Sequence, residues 1–307
     1  MDSNFKTPRS ILNLYKDGFV GSICDEEDTK ALLGELPMPV FGAAAYDLHG
    51  SGEGKLSLPF KSLLKFDPGF GPAEKQTTGD CVSHSTRNAI DITRSVEIAN
   101  GEREDFVTRG ATEGIYQSRG HRGQGMTCSG AARYVHQSGG ILLRKDYGQV
   151  DLSKYNSSLG AKHTIPNSIY KNEAQKHQVK TISNIRTVDE ARDALANGYA
   201  LSVCSGYGFS SRRDGNGIAK RSGGWNHAMA WIACDDSRKT LNETLFLVQN
   251  SWGIWNSGPR KHDQPEGSFW IREKDARGML SGGGAWVFSD VDGFPARKVE
   301  WTINEVF

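Results

Sequence analysis

Three short stretches carry residue types that could together act on a carbonyl: Gln76-Thr77-Thr78-Gly79-Asp80-Cys81, Trp225-Asn226-His227-Ala228 and Gln249-Asn250-Ser251-Trp252-Gly253. A thiol attacks a carbonyl carbon as the thiolate, so it needs a base. The base needs a partner that fixes its ring, and the oxyanion that develops needs hydrogen-bond donors. Cys81, His227, Asn250 and Gln76 are candidates for those four roles, in that order. Cys81, Ser85, Ala89, Ile92 and Val96 fall on one helical face, with Asn100-Gly101 as a stop. Cys81 is therefore expected at a helix N-terminus, where the backbone dipole favours a thiolate. His227 opens one apolar run and Asn250 closes another, so adjacent antiparallel strands would hold the two side chains together. Gln76 could aim its amide at the spot faced by the Cys81 backbone N–H.

The elements needed to position these residues are legible around them. A second helix is expected from Thr127 to Gln137, ending at Ser138-Gly139-Gly140. A third begins at the capping box Thr187-Val188-Asp189-Glu190 and stops at Asn197-Gly198. The period then changes: 199–204, 228–234, 245–249 and 268–272 are short apolar or alternating runs bounded by Gly, Asp and Asn, as strands are. Helices followed by strands imply an α+β fold. Ser210–Gly224, rich in Gly, Ser, Arg and Lys, is expected to be a mobile surface loop, its basic residues solvated or turned to an anionic partner. Residues 1–70 lack periodicity of their own and read as an N-terminal arm or lead-in. Glycine, 36 of 307 residues, exceeds the usual ~7% and points to many tight turns.

From about residue 70 to 275 the sequence resembles the papain-like cysteine peptidases. The resemblance rests on the order Gln, Cys, His, Asn, on Asn226-His227-Ala228 with its following strand, on Asn250-Ser251-Trp252-Gly253, and on Gly267-Ser268-Phe269-Trp270-Ile271-Arg272. The Cys81-to-His227 separation also lies in the ~130–150 residues such enzymes use. The resemblance implies a two-lobed fold with an N-terminal extension: a helical lobe over about 71–180 and an antiparallel β lobe over about 181–307. It implies Cys81 as nucleophile, His227 as base and acid, Asn250 as orienter and Gln76 as oxyanion donor, with Trp252 roofing the site and touching substrate. The chain departs from the family in having Val82 after the thiol, Thr78 where a partner cysteine usually stands, and no long charged helical propeptide. That places it with the intracellular, bacterial or viral members.

Composition narrows the rest. With 37 Lys and Arg against 36 Asp and Glu, net charge +1 argues against nucleic-acid and membrane-surface binding. No apolar run approaches the ~20 residues of a membrane span, and Met1–Lys6 lacks the apolar core of a secretory signal. A cytoplasmic location, or one within an assembled particle, is the expectation. Cys24, Cys128, Cys204 and Cys234 read as buried thiols without disulfides. His84, Asp214 and their neighbours lack metal-ligand spacing, so neither a metal nor a cofactor is expected. The leading function is a peptidase acting on peptide or protein substrates through an acyl-enzyme. The alternatives are amide hydrolysis or acyl transfer on another group, and a structural or virus-particle component that assembles through residues 1–70.

Overall fold

The computed structural model describes residues 21–23, 25–70, 74–102 and 106–304. Its principal helices are α1 (Glu26–Glu35), α2 (Phe60–Phe66), α3 (Cys81–Ala99), α4 (Thr112–Gln117), α5 (Cys128–Gln137), α6 (Val188–Ala196) and α7 (Glu273–Leu280). The strands are β1 (Ser22–Ile23), β2 (Lys55–Ser57), β3 (Met126–Thr127), β4 (Thr181–Asn184), β5 (Leu201–Arg213), β6 (Ala219–Asp235), β7 (Leu245–Gln249), β8 (Ser268–Arg272), β9 (Ala285–Ser289) and β10 (Thr302–Asn304). Eight of them form one antiparallel sheet in the order β10-β2-β6-β5-β9-β4, with β7 joined to β6 and β8 to β7. The local signals account for the helix ends. Thr187 and Glu190 make the reciprocal capping box of α6, and the Thr127 hydroxyl caps α5.

α3 is buried along nearly its whole length because it packs against β5, β6 and β9. Its charged residues are tolerated there only through pairing. Arg87 meets Glu74 at 3.0 Å, Arg109 meets Asp91 at 3.2 Å, and Arg144 reaches the same Glu74 at 2.8 Å. Burial pushes the Glu74 carboxyl up, but Arg87 and Arg144 outweigh it and hold the group well below the usual carboxylate range. Glu74 thereby fastens the loop that leads into Cys81. One apolar cluster lies between the helices and one face of the sheet and includes Ile92, Val135, Trp270 and Trp286. A second, with Phe41, Tyr199, Trp231 and Phe246, fills the space toward α6 and α7.

Residues 25–70 fold back on the same chain. β2 is a strand of the main sheet between β10 and β6, and α1 docks on α5. The Asp28 carboxylate there accepts hydrogen bonds from Thr127 (3.0 Å), Ser129 and Arg133. Among the described residues no helix is long and apolar enough to cross a membrane.

Two expectations are overturned. Ser210–Gly224 is not a mobile loop but most of a long hairpin, since β5 continues to Arg213 and β6 begins at Ala219. Its tip is fastened from outside: the Arg213 N–H donates to Ser257 O (2.9 Å) and the Trp270 N–H to Gly217 O (3.0 Å). Local composition carries no trace of those distant partners. Secondly, Cys128 and Cys204, expected as separate buried thiols, are joined in a disulfide. Both contexts are apolar, as read, but the fold brings the first residue of α5 against the fourth residue of β5. Cys81 and Cys234 are buried thiols outside that bond, and Cys24 lies outside the described residues.

Candidate active site

The loop before α3 is held from several sides. The Gln76 N–H donates to Ser251 O at 2.8 Å, and the Ser251 hydroxyl donates to Gln76 Oε1. Gln124 Oε1 receives both the Thr78 hydroxyl and the Gly79 N–H, while the Gly125 N–H donates to Gly79 O at 3.1 Å. Asp80 accepts from the Tyr155 hydroxyl at 2.8 Å and lies 3.5 Å from His84 Nε2. The chain then enters α3 with Cys81 as its first residue, as the spacing predicts.

His227 lies on β6 opposite Ser205, and Asn250 directly follows β7, whose last residue Gln249 pairs with Ala230 of β6. Strand pairing therefore brings the two together: His227 Nε2 and Asn250 Oδ1 are 2.7 Å apart. The Ser251 N–H donates to the same Oδ1 at 2.7 Å, which identifies that atom as the amide oxygen. His227 Nε2 accordingly carries a hydrogen, and Nδ1 is the basic nitrogen of the ring. Trp252 lies against the imidazole, centroids 4.6 Å apart with planes at 31°, and packs in turn on Trp225 and Trp255. This aromatic wall keeps water from the His227–Asn250 hydrogen bond and so strengthens it.

The Cys81 sulfur accepts the Ala228 N–H at 3.4 Å, one residue beyond His227. Gln76 stands beside the same loop, but one hydrogen of its side-chain amide goes to Thr78 O at 2.9 Å, leaving its second amide hydrogen for any other acceptor. The sequence suggests a thiolate at Cys81; in this structure the opposite holds. Burial pushes the thiol up to about 12, and the adjacent Asp80 carboxylate adds to the shift, against the pull of the Ala228, Val82 and Cys81 backbone N–H groups. The helix-terminus argument identified a real contribution, but desolvation is larger.

That burial has a local cause. Cys81 and His227 have no exposed surface and Asn250 only 1%, and the segment at Gly21 that leads into β1 packs against the thiol. β1 pairs in parallel with β3, and the Met126 N–H donates to Gly21 O at 3.0 Å. A Cβ on Gly21 would fall 2.6 Å from Gly79 O and 3.2 Å from Cys81 Sγ; a Cβ on Gly125 would fall 3.0 Å from Gly21 O. Both glycines have positive φ, +107° and +81°, so the approach of this segment to the thiol requires glycine twice. No local motif in the sequence announces either contact. Gln124, Tyr155 and Gly21 act on the site through bonds across long stretches of chain. The only hints were the glycines near 120–125 and the acidic residue beside the thiol.

No family model and no curated protein sequence matches the chain. Solved structures do. Xylellain, a cysteine protease from Xylella fastidiosa, is 16% identical over 90% of this chain and 92% of its own, with a TM-score of 0.50. Procathepsin B S9 from Trypanosoma congolense is 12% identical over 89% of this chain and 86% of its own, with a TM-score of 0.53. The fold is thus the papain-like one over about 90% of the chain.

Proposed function

We propose that this chain, which has the fold of the papain-like cysteine proteases, is a thiol peptidase that hydrolyses peptide bonds through a thioester acyl-enzyme, and that it is described here in a covered state. The observation that carries the reading is the 2.7 Å bond from His227 to Asn250, formed beside a cysteine at the N-terminus of α3. Once β1 is displaced, His227 Nδ1 takes the Cys81 proton and the sulfur attacks the scissile carbonyl carbon. The Cys81 backbone N–H and the free amide hydrogen of Gln76 receive the oxyanion. The imidazolium, held by Asn250, returns its proton to the leaving amine as the C–N bond breaks. Water, deprotonated by the same ring, then cleaves the thioester to release the acid and the thiol. Trp252 walls the histidine and offers an apolar surface to the bound peptide.

The test is turnover of a peptide library by the full chain, by the full chain with Gly21→Val, and by a form lacking residues 1–24, each beside its Cys81→Ala counterpart. Cleavage by the uncovered forms that vanishes with Cys81→Ala supports the reading. An uncovered form whose Cys81 alkylates readily but which cleaves no peptide contradicts it.

A further inference from the structure

A second concavity, of about 650 Å³, lies between the tip of the β5–β6 hairpin and the start of α7. It contains none of Cys81, His227, Asn250 or Gln76. Its walls carry Arg212, Arg213, Lys220, Arg221 and Arg272 against the carboxylates Asp214 and Asp275. We infer that this pocket is an exosite for an acidic tract of the substrate, a run of Asp or Glu displaced along the chain from the cleaved bond. The inference rests on the peptidase reading for the word substrate, and on the pocket alone for the word acidic.

Five cations line the pocket against two carboxylates, so positive charge remains in excess even with Arg272 paired to Glu243. Asp214 is turned into the hairpin, its Oδ1 accepting the N–H groups of Asn216 (2.8 Å) and Ile218 (3.1 Å). Arg272 is held by Glu243 at 2.9 Å. Among the described residues Arg212, Lys220 and Arg221 have no carboxylate within ion-pair distance. Arg213 is buried, yet its guanidinium donates only to neutral oxygens: Pro259 O, Gly258 O, Ser268 O and Asn256 Oδ1, at 2.6–2.9 Å. A cation buried among neutral dipoles gains from any anion brought to the wall beside it.

The donors are also fixed in place. Arg221 lies over the Tyr207 ring, 3.9 Å from its centroid. Tyr207 is seated on α7 at Gly278, where a Cβ would come within 1.9 Å of the phenol oxygen. A stacked guanidinium keeps its N–H edge free for the two oxygens of a carboxylate. Arg212 and Lys220 stand on the two strands beside the Arg213–Ala219 pair, so neighbouring cations face a chain laid across the hairpin. A net charge of +1 argues against the strong overall positive field that favours a nucleic acid, and a few carboxylate side chains suit the volume. Arg221 precedes His227 by six positions on the same strand, about 20 Å at ~3.3 Å per residue. The tract should therefore sit roughly six extended residues from the scissile bond.

Two measurements test this. In the first, fluorescein-labelled hexaglutamate is titrated into the Cys81→Ala protein with and without Arg212→Ala, Lys220→Ala and Arg221→Ala, three exposed positions outside the catalytic machinery. Saturable binding, weakened about tenfold or more by the triple change and by 0.5 M salt, is expected. No binding, equal binding by the triple variant, or binding of inorganic tripolyphosphate but not hexaglutamate overturns the acidic-peptide assignment. In the second, one cleavable peptide is compared with versions bearing four glutamates about six residues to either side, using the uncovered enzyme. An approximately tenfold higher kcat/KM for one extended version, lost in the triple variant while the plain peptide is unaffected, is the expected result. Equal kcat/KM for all three overturns the exosite. Intact hexaglutamate binding without cleavage of any peptide overturns the peptidase reading and the substrate assignment, leaving an acidic-peptide site.

Discussion

Gly21 is packed against Cys81 so closely that a single added methyl group would lie 3.2 Å from the sulfur. The thiol is therefore not merely interior; it is capped by a backbone segment that touches it and that is held by one short parallel ladder with β3.

Replacing Gly21 should uncover the thiol. With the group pushed up to about 12 by burial, far less of Cys81 is thiolate near pH 7 than of an ordinary cysteine near ~8.5. Gly21→Val, which cannot keep the positive φ or the contact, should raise iodoacetamide labelling of Cys81 by about 10²-fold or more. The pH profile has a definite sign: in the covered protein the rate climbs with pH through the alkaline range, and in Gly21→Val it levels off at lower pH. Labelling at the same rate in both proteins would show that β1 is not what buries the thiol.

Asp28 should act as a latch for the covering segment. Burial pushes its carboxyl up, but hydrogen bonds from Ser129, Arg133 and Thr127 outweigh this and hold it below the usual carboxylate range. A depressed carboxyl stabilises the docked state above its free value near ~4 and loses that contribution as pH falls through the lower docked value. Amide exchange in residues 25–35, read as a protection factor against the intrinsic rate at each pH, should stay slow from pH 5 to 8 and lose protection below about pH 4. Asp28→Asn should quicken it at neutral pH.

How much of this was legible in the sequence depends on the reach of each interaction. The α3 start at Cys81, the α6 capping box and the strands bearing His227 and Asn250 are written in local periodicity and caps, so they could be read. The Cys128–Cys204 bond, the hairpin over 210–224 and the cover at Gly21 depend on residues 76, about 50 and about 60 positions away, and local composition is silent on such pairings. The thiol state failed differently: helix-terminus stabilisation was visible in sequence order, whereas the burial that outweighs it was not.

The disulfide links α5 to β5 across 76 residues, and closing a loop of that length removes substantial entropy from the unfolded chain. Changing Cys128 and Cys204 together to serine should lower unfolding free energy by about 2–4 kcal/mol, read as a shift in urea midpoint. Thiol titration of the denatured, unreduced protein should find Cys81 and Cys234 reactive, and Cys128 and Cys204 only after reduction. Five reactive thiols before reduction would remove the bond.

The four site residues should be unequal in the uncovered enzyme. Gln76→Ala should lower kcat by ~10- to 10³-fold with little change in KM, because an oxyanion donor acts as charge develops. Its commitment to Thr78 favours the lower end. His227→Ala should cost more than Asn250→Ala, since the asparagine only holds the ring. Equal losses from all three substitutions would point to a folding defect, which circular dichroism of each variant would reveal.

The central claim is that Cys81 carries the acyl group, and rapid-quench mass spectrometry tests it most directly. The uncovered enzyme is mixed with a cleavable peptide, quenched in acid within milliseconds and digested. The account predicts an adduct of the peptide's N-terminal portion on Cys81 as a thioester, decaying as the free acid appears and absent with His227→Ala. Cleavage of the peptide with no adduct at any time, or an adduct on a residue other than Cys81, would contradict it.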